Sequence, residues 1–307
     1  MKKTILMAAL VLIGACCYAQ KANVKKTRNL ILQETPDFDA ARAMIAPALT
    51  DEETKGLAET WYVAGLIGYT QNEKFNIDAM MNQPVDDNVK GQAIMESFDY
   101  WVKADEIAMT PVYDKKGKAK VDEKTRKTIA TKMFEYYNGN DFVKYGIYLN
   151  DQRDYANAYK AFMRHLQIQD LPMMQDPKMQ EKMPKDTIYD QYKYYAAIFA
   201  IQAEMHPEAI ALLEEMKDGE YEAVTVCQFL YQEYVAIKDT AKYVAQLQEA
   251  VVRFPKEPWF LQNLINHYIY SGQTDQAIVY LDQAIEREPS VGQYHLIKGN
   301  IIANENR

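Results

Sequence analysis

The side chains that most often carry catalysis or bind metals are scattered along this 307-residue chain. The four histidines, His165, His206, His267 and His295, lie far apart, and no H-E-x-x-H, G-x-S-x-G, G-x-x-x-x-G-K or paired C-x-x-C motif occurs. These motifs give the spacing of common zinc, acyl-transfer and phosphate sites. We therefore predict no enzyme activity, no cofactor and no metal. We expect the histidines to be structural and the thiol of Cys227 to be buried and inert.

Methionines between Leu171 and Thr187 are the pattern closest to metal chemistry. The segment contains four of them: Met173, Met174, Met179 and Met183. Thioethers bind Cu(I), but no cysteine or histidine lies in the segment to assist them. Flexible methionines also fill irregular apolar surface, and we expect these four to pack an inserted segment against neighbouring helices.

Charge argues against a nucleic-acid partner. The formal net charge is −8 and the pI is near 5.2, so a polyphosphate would be repelled. A run of lysines, Lys115, Lys116, Lys118 and Lys120, lies in a polar segment around Gly117. This segment predicts a short hairpin or loop, and we expect its lysines to be solvated.

The first twenty residues have the features of a bacterial export signal. Lys2 and Lys3 precede an apolar run that is about half as long as a membrane-spanning helix. Cleavage after Ala19 would give a soluble periplasmic or secreted protein with one cysteine and no intramolecular disulfide. The sequence before Cys16 resembles a lipobox, and cleavage there would give an outer-membrane lipoprotein. Both alternatives remain open.

An internal period of 34 residues organises the second half of the chain. Pro255 and Pro289 are separated by this offset, which also relates Leu230 to Leu264, Tyr234 to Tyr268, Leu247 to Leu281 and Ala250 to Ala284. A fixed period of this length predicts stacked helical hairpins, each of which buries the same stripe against its neighbours.

The unit from Pro258 to about Ser290 resembles the tetratricopeptide repeat, a helix-turn-helix unit of 34 residues. It matches the family pattern at Leu261, Leu264, Tyr268, Gly272, Ala277, Leu281, Ala284 and Pro289. It departs from the pattern at Ile265, where the family has a small residue. The resemblance implies an all-α fold, a right-handed superhelical solenoid of helix-turn-helix repeats.

The resemblance divides residues 20–307, which follow the predicted signal peptide 1–19, into successive units. Their approximate bounds are 22–54, 58–110, 122–170, 188–221, 222–255, 256–289 and a partial unit at 290–307. We expect an insertion from about Gln71 to Gly91 around Pro84, and a long helix from about Asp122 to Tyr137. The last helix has no second helix, so it caps the stack alone, or the chain is shorter than its relatives, or a partner covers it.

The resemblance also places a ligand groove on the first helices of the units. The groove residues that it implies are Tyr62, Tyr69, Tyr194, Gln228, Gln232, Trp259, Gln262, Asn266 and Tyr270. Charges are nearly absent from this set, and Gln262 replaces the lysine of family members that clamp a terminal carboxylate. Rings and amides suit an extended peptide, although aromatic stripes at helical spacing are often core.

The resemblance implies a non-enzymatic scaffold of the bacterial cell envelope that binds a protein or peptide segment. The alternative is a glycan-binding outer-membrane lipoprotein, in which Trp61, Trp259 and several tyrosines would form a flat platform. Two exposed, coplanar rings would favour that alternative. An enzyme would require two facing carboxylates in a pocket. Membrane association is expected only with a lipid on Cys16, and the sequence does not predict the oligomeric state.

Overall fold

The computed structural model describes residues 20–184 and 188–305, and it confirms the predicted all-α helical-repeat fold. The chain divides into two compact units, Met1–Tyr189 and Asp190–Arg307. Across the described ranges, no helix is both long enough and apolar enough to cross a bilayer. The predicted export signal and both alternative cleavage sites lie outside the described residues.

The first unit is a series of helices, and from α2 to α7 each helix packs against the next. They are α1 (residues 20–31), α2 (Phe38–Thr50), α3 (Ala58–Met80), α4 (Asp87–Ala108), α5 (Glu123–Gly139), α6 (Asp141–Asp151), α7 (Tyr155–Gln167) and the short α8 (Pro177–Gln180). An antiparallel hairpin of β1 (Val112–Tyr113) and β2 (Ala119–Lys120) joins α4 to α5. This confirms the hairpin and the long helix predicted after it.

Aspartate side chains begin several of these helices. Asp37, Asp86, Asp122 and Asp154 each accept a hydrogen bond from a backbone N–H in the first turn that follows. Such caps satisfy donors that have no partner inside the helix and contribute about 1 kcal/mol each. The bounds of the helices therefore follow from local chemistry that is visible in the sequence.

The insertion predicted from Gln71 to Gly91 is wrong. The helix α3 continues to Met80, because no glycine or proline interrupts residues 71–80. The breaker Pro84 lies in the connection at residues 81–86, and α4 begins directly afterwards. The two helices therefore form one long hairpin rather than an interrupted repeat.

The methionine-rich segment packs into the core of the first unit. Met173, Met174 and Met183 are buried in one cluster with Met133 of α5, and Met179 is partly buried against it. Two short 3-10 turns, Ile168–Asp170 and Pro172–Gln175, carry part of the segment. The expected packing role of these methionines is confirmed.

The second unit repeats one helical hairpin along the chain. Its helices are α9 (Ile188–Gln202), which begins just before the unit boundary, α10 (His206–Met216), α11 (Ala223–Ala236), α12 (Thr240–Arg253), α13 (Pro258–Tyr270), α14 (Thr274–Arg287) and α15 (Gly292–Glu305). From α10 onward, each helix packs against the next. These helices fall within the predicted units.

Residues related by the 34-residue offset occupy equivalent buried positions. Leu230, Leu247, Leu264 and Leu281 are all completely buried, as is Ala277. The small side chains at Ala250 and Ala284 are also buried in the cluster that joins α11 through α15. The periodic side chains therefore form the core, and the residues between them remain available for the surface.

Candidate binding groove on the second unit

Two clefts meet at Asn266 on α13. The large cleft has a volume of about 540 Å³ and lies among α11, α12 and α13; its lining is Tyr231, Val235, Thr240, Tyr243, Asn263, Asn266, His267, Tyr270 and Ser271. The small cleft has a volume of about 290 Å³ and lies between α13 and α15; its lining is Gln262, Ile265, Asn266, Val291, Gln293, Tyr294 and Ile297. We call the two clefts together the α13 groove.

The amphipathic sequence of α13 explains why its polar residues face this groove. Leu261, Leu264 and Tyr268 recur at helical spacing and are buried in the core of the second unit. Asn266 and Tyr270 are one helical turn apart and exposed, and Tyr270 is 89% exposed. One stripe of the helix therefore holds the fold together, while another presents an amide and a phenol ring to solvent.

The α13 groove contains no aspartate, glutamate, lysine or arginine among its described lining residues. Its imidazole, His267, has its Nδ1 atom 2.8 Å from the hydroxyl oxygen of Tyr243, and burial lowers the pKa of His267. Burial therefore favours the neutral form of this histidine. By contrast, a further cleft of about 270 Å³ in the same unit is lined by Lys256, Arg287 and Glu288.

A hydrogen-bonded chain fixes the wall between the small cleft and this charged cleft. The Nε2 atom of Gln262 donates to the hydroxyl oxygen of Tyr294 over 3.0 Å, and the Tyr294 hydroxyl donates to Glu288 over 3.4 Å. Tyr294 is buried and lines both clefts, so its ring forms part of the wall between them. The amide of Gln262 is thus oriented within the protein before any ligand arrives.

The aromatic rings of the large cleft stand almost at right angles to one another. Tyr231 makes edge-to-face contacts with Tyr243 (5.7 Å between centroids, 78°) and with Trp259 (5.3 Å, 89°). Tyr243 makes a similar contact with His267 at 5.2 Å and 85°. These contacts hold the rings in a fixed, angular arrangement.

The structure brings together some of the groove residues that the sequence predicts. Gln262, Asn266 and Tyr270 line the α13 groove, and the half-buried Trp259 supports it through Tyr231. Three others lie on the second unit but line neither cleft: Tyr194, which packs with Tyr221 and Phe229, and Gln228 and Gln232 on α11.

The two predicted groove residues of the first unit take part in packing. Tyr69 is 7% exposed; the Nζ atom of Lys132 lies 3.5 Å from the centre of its ring, and its hydroxyl donates to Glu135. Tyr62 is half-buried, and its ring lies parallel to that of Trp101 at 6.4 Å. Neither ring belongs to the α13 groove, and we leave both out of the site.

Sequence reasoning missed Tyr231, Tyr243, Asn263 and His267, which complete the large cleft. The family positions were drawn from first helices only, whereas Tyr243 lies on the second helix of its hairpin. His267 was assigned a structural role, which its contact with Tyr243 fits, but it also lines the cleft. The sequence does carry one signal for this site: α13 has no aspartate, glutamate, lysine or arginine from Gln262 to Tyr270.

Neither tryptophan forms the flat platform that the glycan alternative requires. Trp61 is tilted by 51° to Tyr100, and Trp259 is nearly perpendicular to its ring neighbours. A parallel pair does occur in the first unit, where Tyr145 and Tyr148 are 6.2 Å apart at 13°. They line a cleft of about 290 Å³ between α4 and α6 that also contains Lys90, Lys144, Asp87, Asp141 and Asp151.

The Tyr145 ring packs on the backbone of Gly91, where an added Cβ would lie 1.9 Å from a ring atom. The ring therefore uses part of its surface for packing α6 on α4. Desolvation raises the pKa of Asp141, and the nearby Lys90 and Lys144 oppose this shift. Acids and lysines are mixed in this cleft, so its charge does not select one class of ligand.

Other groups with reactive side chains have structural surroundings. Among the described residues, no group of three histidine, cysteine, aspartate or glutamate side chains could hold a metal ion. Cys227 is 3% exposed, and burial raises the pKa of its thiol, as expected for an inert cysteine. His206 lies 2.8 Å from the buried carboxylate of Glu233.

No protein-family model matches this chain, and no curated protein matches it. The functional conclusion therefore depends on the α13 groove itself.

Proposed function

We propose that this protein is a non-enzymatic scaffold that binds a protein or peptide segment through the α13 groove. The observation that supports this proposal is the meeting of two uncharged clefts at Asn266. The exposed amide of Asn266 can donate to a carbonyl oxygen and accept from an N–H, which suits the main chain of an extended peptide. The exposed ring of Tyr270 and the half-buried rings of the large cleft supply apolar contact area.

The proposed scaffold is a tetratricopeptide-like protein. Support comes from the 34-residue spacing of its buried positions and from the match of α13 and α14 to the family pattern. In that family the first helices of the repeats contact ligands, and α13 is the first helix of its unit. Binding energy would be spread over several side chains rather than concentrated at a reacting atom.

We propose that the protein acts in the bacterial cell envelope. Support comes from the charged and apolar pattern of residues 1–19, with Ala19 and Cys16 as alternative processing sites. Mass spectrometry of the mature protein tests this directly: a chain that begins at Gln20 or carries a lipid on Cys16 is expected. A chain that retains Met1 would contradict export.

Selection from a displayed peptide library tests the binding function. We expect selected peptides to bind the intact protein, and the double variant Asn266→Ala, Tyr270→Ala to bind them at least about tenfold more weakly. The matched control is Gln276→Ala, an exposed amide on α14 that lines neither cleft. It should change the affinity by less than about twofold.

Two results would contradict this function. One is a library that yields no binding peptide. The other is binding that the double variant and the control reduce equally. A parallel panel of glucose oligosaccharides examines the glycan alternative, which would gain support if sugars bound and peptides did not.

A further inference from the structure

We infer that the segment bound in the α13 groove is uncharged and inserts an aromatic side chain into the large cleft. This inference rests on the proposed peptide-binding function and specifies the chemistry of the partner. It depends on three features of the groove: the absence of charge among its described lining residues, the angular arrangement of its rings, and the free amide of Asn266.

The first feature is electrostatic. Neither cleft offers a counter-charge, so an ionised side chain that entered would lose hydration without gaining an ion pair. An acidic segment would also be repelled by a chain whose net charge is −8. A further cleft in the same unit contains Lys256, Arg287 and Glu288, and the ring of Tyr294 forms part of the wall between it and the small cleft.

The second feature distinguishes an inserted ring from a cation or a sugar. Cations bind the open faces of aromatic rings. Here Tyr243 contacts both Tyr231 and His267 edge to face, and each contact occupies one ring face. A sugar stacks on a flat surface, which rings at 78° and 85° do not provide. An aromatic side chain can extend the edge-to-face arrangement inside the cleft.

The size of the large cleft agrees with this occupant. At about 540 Å³ it falls within the range of small-ligand pockets, about 300–1,000 Å³. The ring of Tyr270, 89% exposed, lies beside it and can close over an inserted side chain. Thr240 adds a hydroxyl group to the lining, with which a polar substituent on the inserted ring can form a hydrogen bond.

The third feature places the main chain of the partner. The two neighbouring amides on the same helix are already engaged: Asn263 donates to the carbonyl oxygen of Trp259 over 2.8 Å, and Gln262 donates to Tyr294. Within the described residues, no hydrogen bond engages the side chain of Asn266. Since Asn266 borders both clefts, a main chain that it holds passes from one cleft to the other.

An isosteric change of charge is the sharpest test. Asn266→Asp keeps the shape of the side chain but places a carboxylate between the clefts. Gln276→Glu makes the same change of charge on the exposed face of α14. For peptides selected on the unmodified protein, we expect Asn266→Asp to weaken binding at least about tenfold and Gln276→Glu to change it less than about twofold.

Small probes examine the inserted side chain separately. N-acetyltyrosinamide, N-acetyl-lysinamide and the corresponding aspartate derivative are added to the full chain, and protein NMR shifts are recorded. We expect saturable shifts with the tyrosine probe only, and their loss when Tyr231→Ala or Tyr270→Ala is introduced.

Affinity for the selected peptides should change by less than about twofold between low and high salt.

The outcomes separate this inference from the proposed function. Neutral selected peptides with an aromatic residue, sensitive to Asn266→Asp, support both. Charged peptides that depend on Asn266, or shifts with the lysine probe, overturn the inference while the peptide-binding function stands. Binding of oligosaccharides without peptide binding, or no binding by any peptide or probe, overturns both.

Discussion

Gly68 of α3 lies against the backbone of Ala93 on α4 so closely that a Cβ atom at Gly68 would be 2.1 Å from the Ala93 carbonyl oxygen. Gly65, one turn earlier, meets a side chain instead: an added Cβ would be 2.4 Å from the ring of Trp101. The long hairpin of α3 and α4 therefore depends on two positions without side chains. Backbone atoms cannot move aside as a flexible side chain can, so the close contact between Gly68 and Ala93 is fixed.

Gly68→Ala is expected to destabilise the protein by about 1 to 3 kcal/mol, because the new methyl group forces the two helices apart. The matched control is Gly299→Ala on α15, where an added Cβ meets nothing within 4 Å. There alanine should stabilise the helix by about 0.5 to 1 kcal/mol through its higher propensity. Urea unfolding measures both changes, and a stabilising Gly68→Ala would show that the helices are not in close contact.

Ala277→Leu is expected to destabilise the second unit by about 1 to 3 kcal/mol. Ala277 is completely buried where α14 packs in the core, so a larger side chain must displace its neighbours. The control is Ala245→Leu at an exposed position of α12, which should change stability by less than about 0.5 kcal/mol. If thermal unfolding of both variants matched the unmodified protein, the assigned repeat register would be wrong.

The core could be predicted from the sequence because its causes are local and periodic. Leu247 and Leu281, and Ala250 and Ala284, recur at the repeat offset because each hairpin buries the same stripe. The aspartate caps fix where several helices begin. The prediction at Gln71–Gly91 fails because a departure from the family pattern does not by itself break a helix, and Pro84 is the only glycine or proline between Gln71 and Gly91.

The site was less predictable because a cleft depends on which helices meet. Asn266 and Tyr270 were identified by their position on one helix, and they do line the α13 groove. Tyr243 approaches His267 from a different helix, and no pattern along one helix predicts that contact. Tyr69 failed as a groove residue because Lys132, 63 residues later in the chain, covers its ring.

His165 should make the first unit less stable as the pH falls. Burial lowers its pKa to about 4, while an unfolded chain has a histidine pKa near 6.5. Above about pH 6.5 both states are neutral; below it the unfolded state binds a proton that the folded state rejects. Stability is therefore lost progressively between about pH 6.5 and pH 4, by about 2 to 3 kcal/mol at pH 4.5.

The comparison variant His165→Phe removes this titration and keeps a ring against Tyr137, which lies 4.4 Å from His165 between centroids. Urea unfolding at pH 7.5 and pH 4.5 should show a smaller acid loss in the variant, because other titrating groups are common to both proteins. Equal losses would mean that His165 protonates in the folded protein as readily as in the unfolded chain.

Tyr268 and Tyr270 lie two residues apart on α13, but replacement by alanine should lower stability at Tyr268 and peptide affinity at Tyr270. Tyr268 is 7% exposed, packs parallel to Tyr280 at 5.5 Å and accepts a hydrogen bond from Gln248, so Tyr268→Ala should cost about 3 to 5 kcal/mol. Tyr270 is 89% exposed, so Tyr270→Ala should change stability by less than about 0.5 kcal/mol while weakening peptide capture. Thermal unfolding and peptide affinity are measured on the same preparations. A large loss of stability in Tyr270→Ala would place its ring in the core and remove it from the α13 groove.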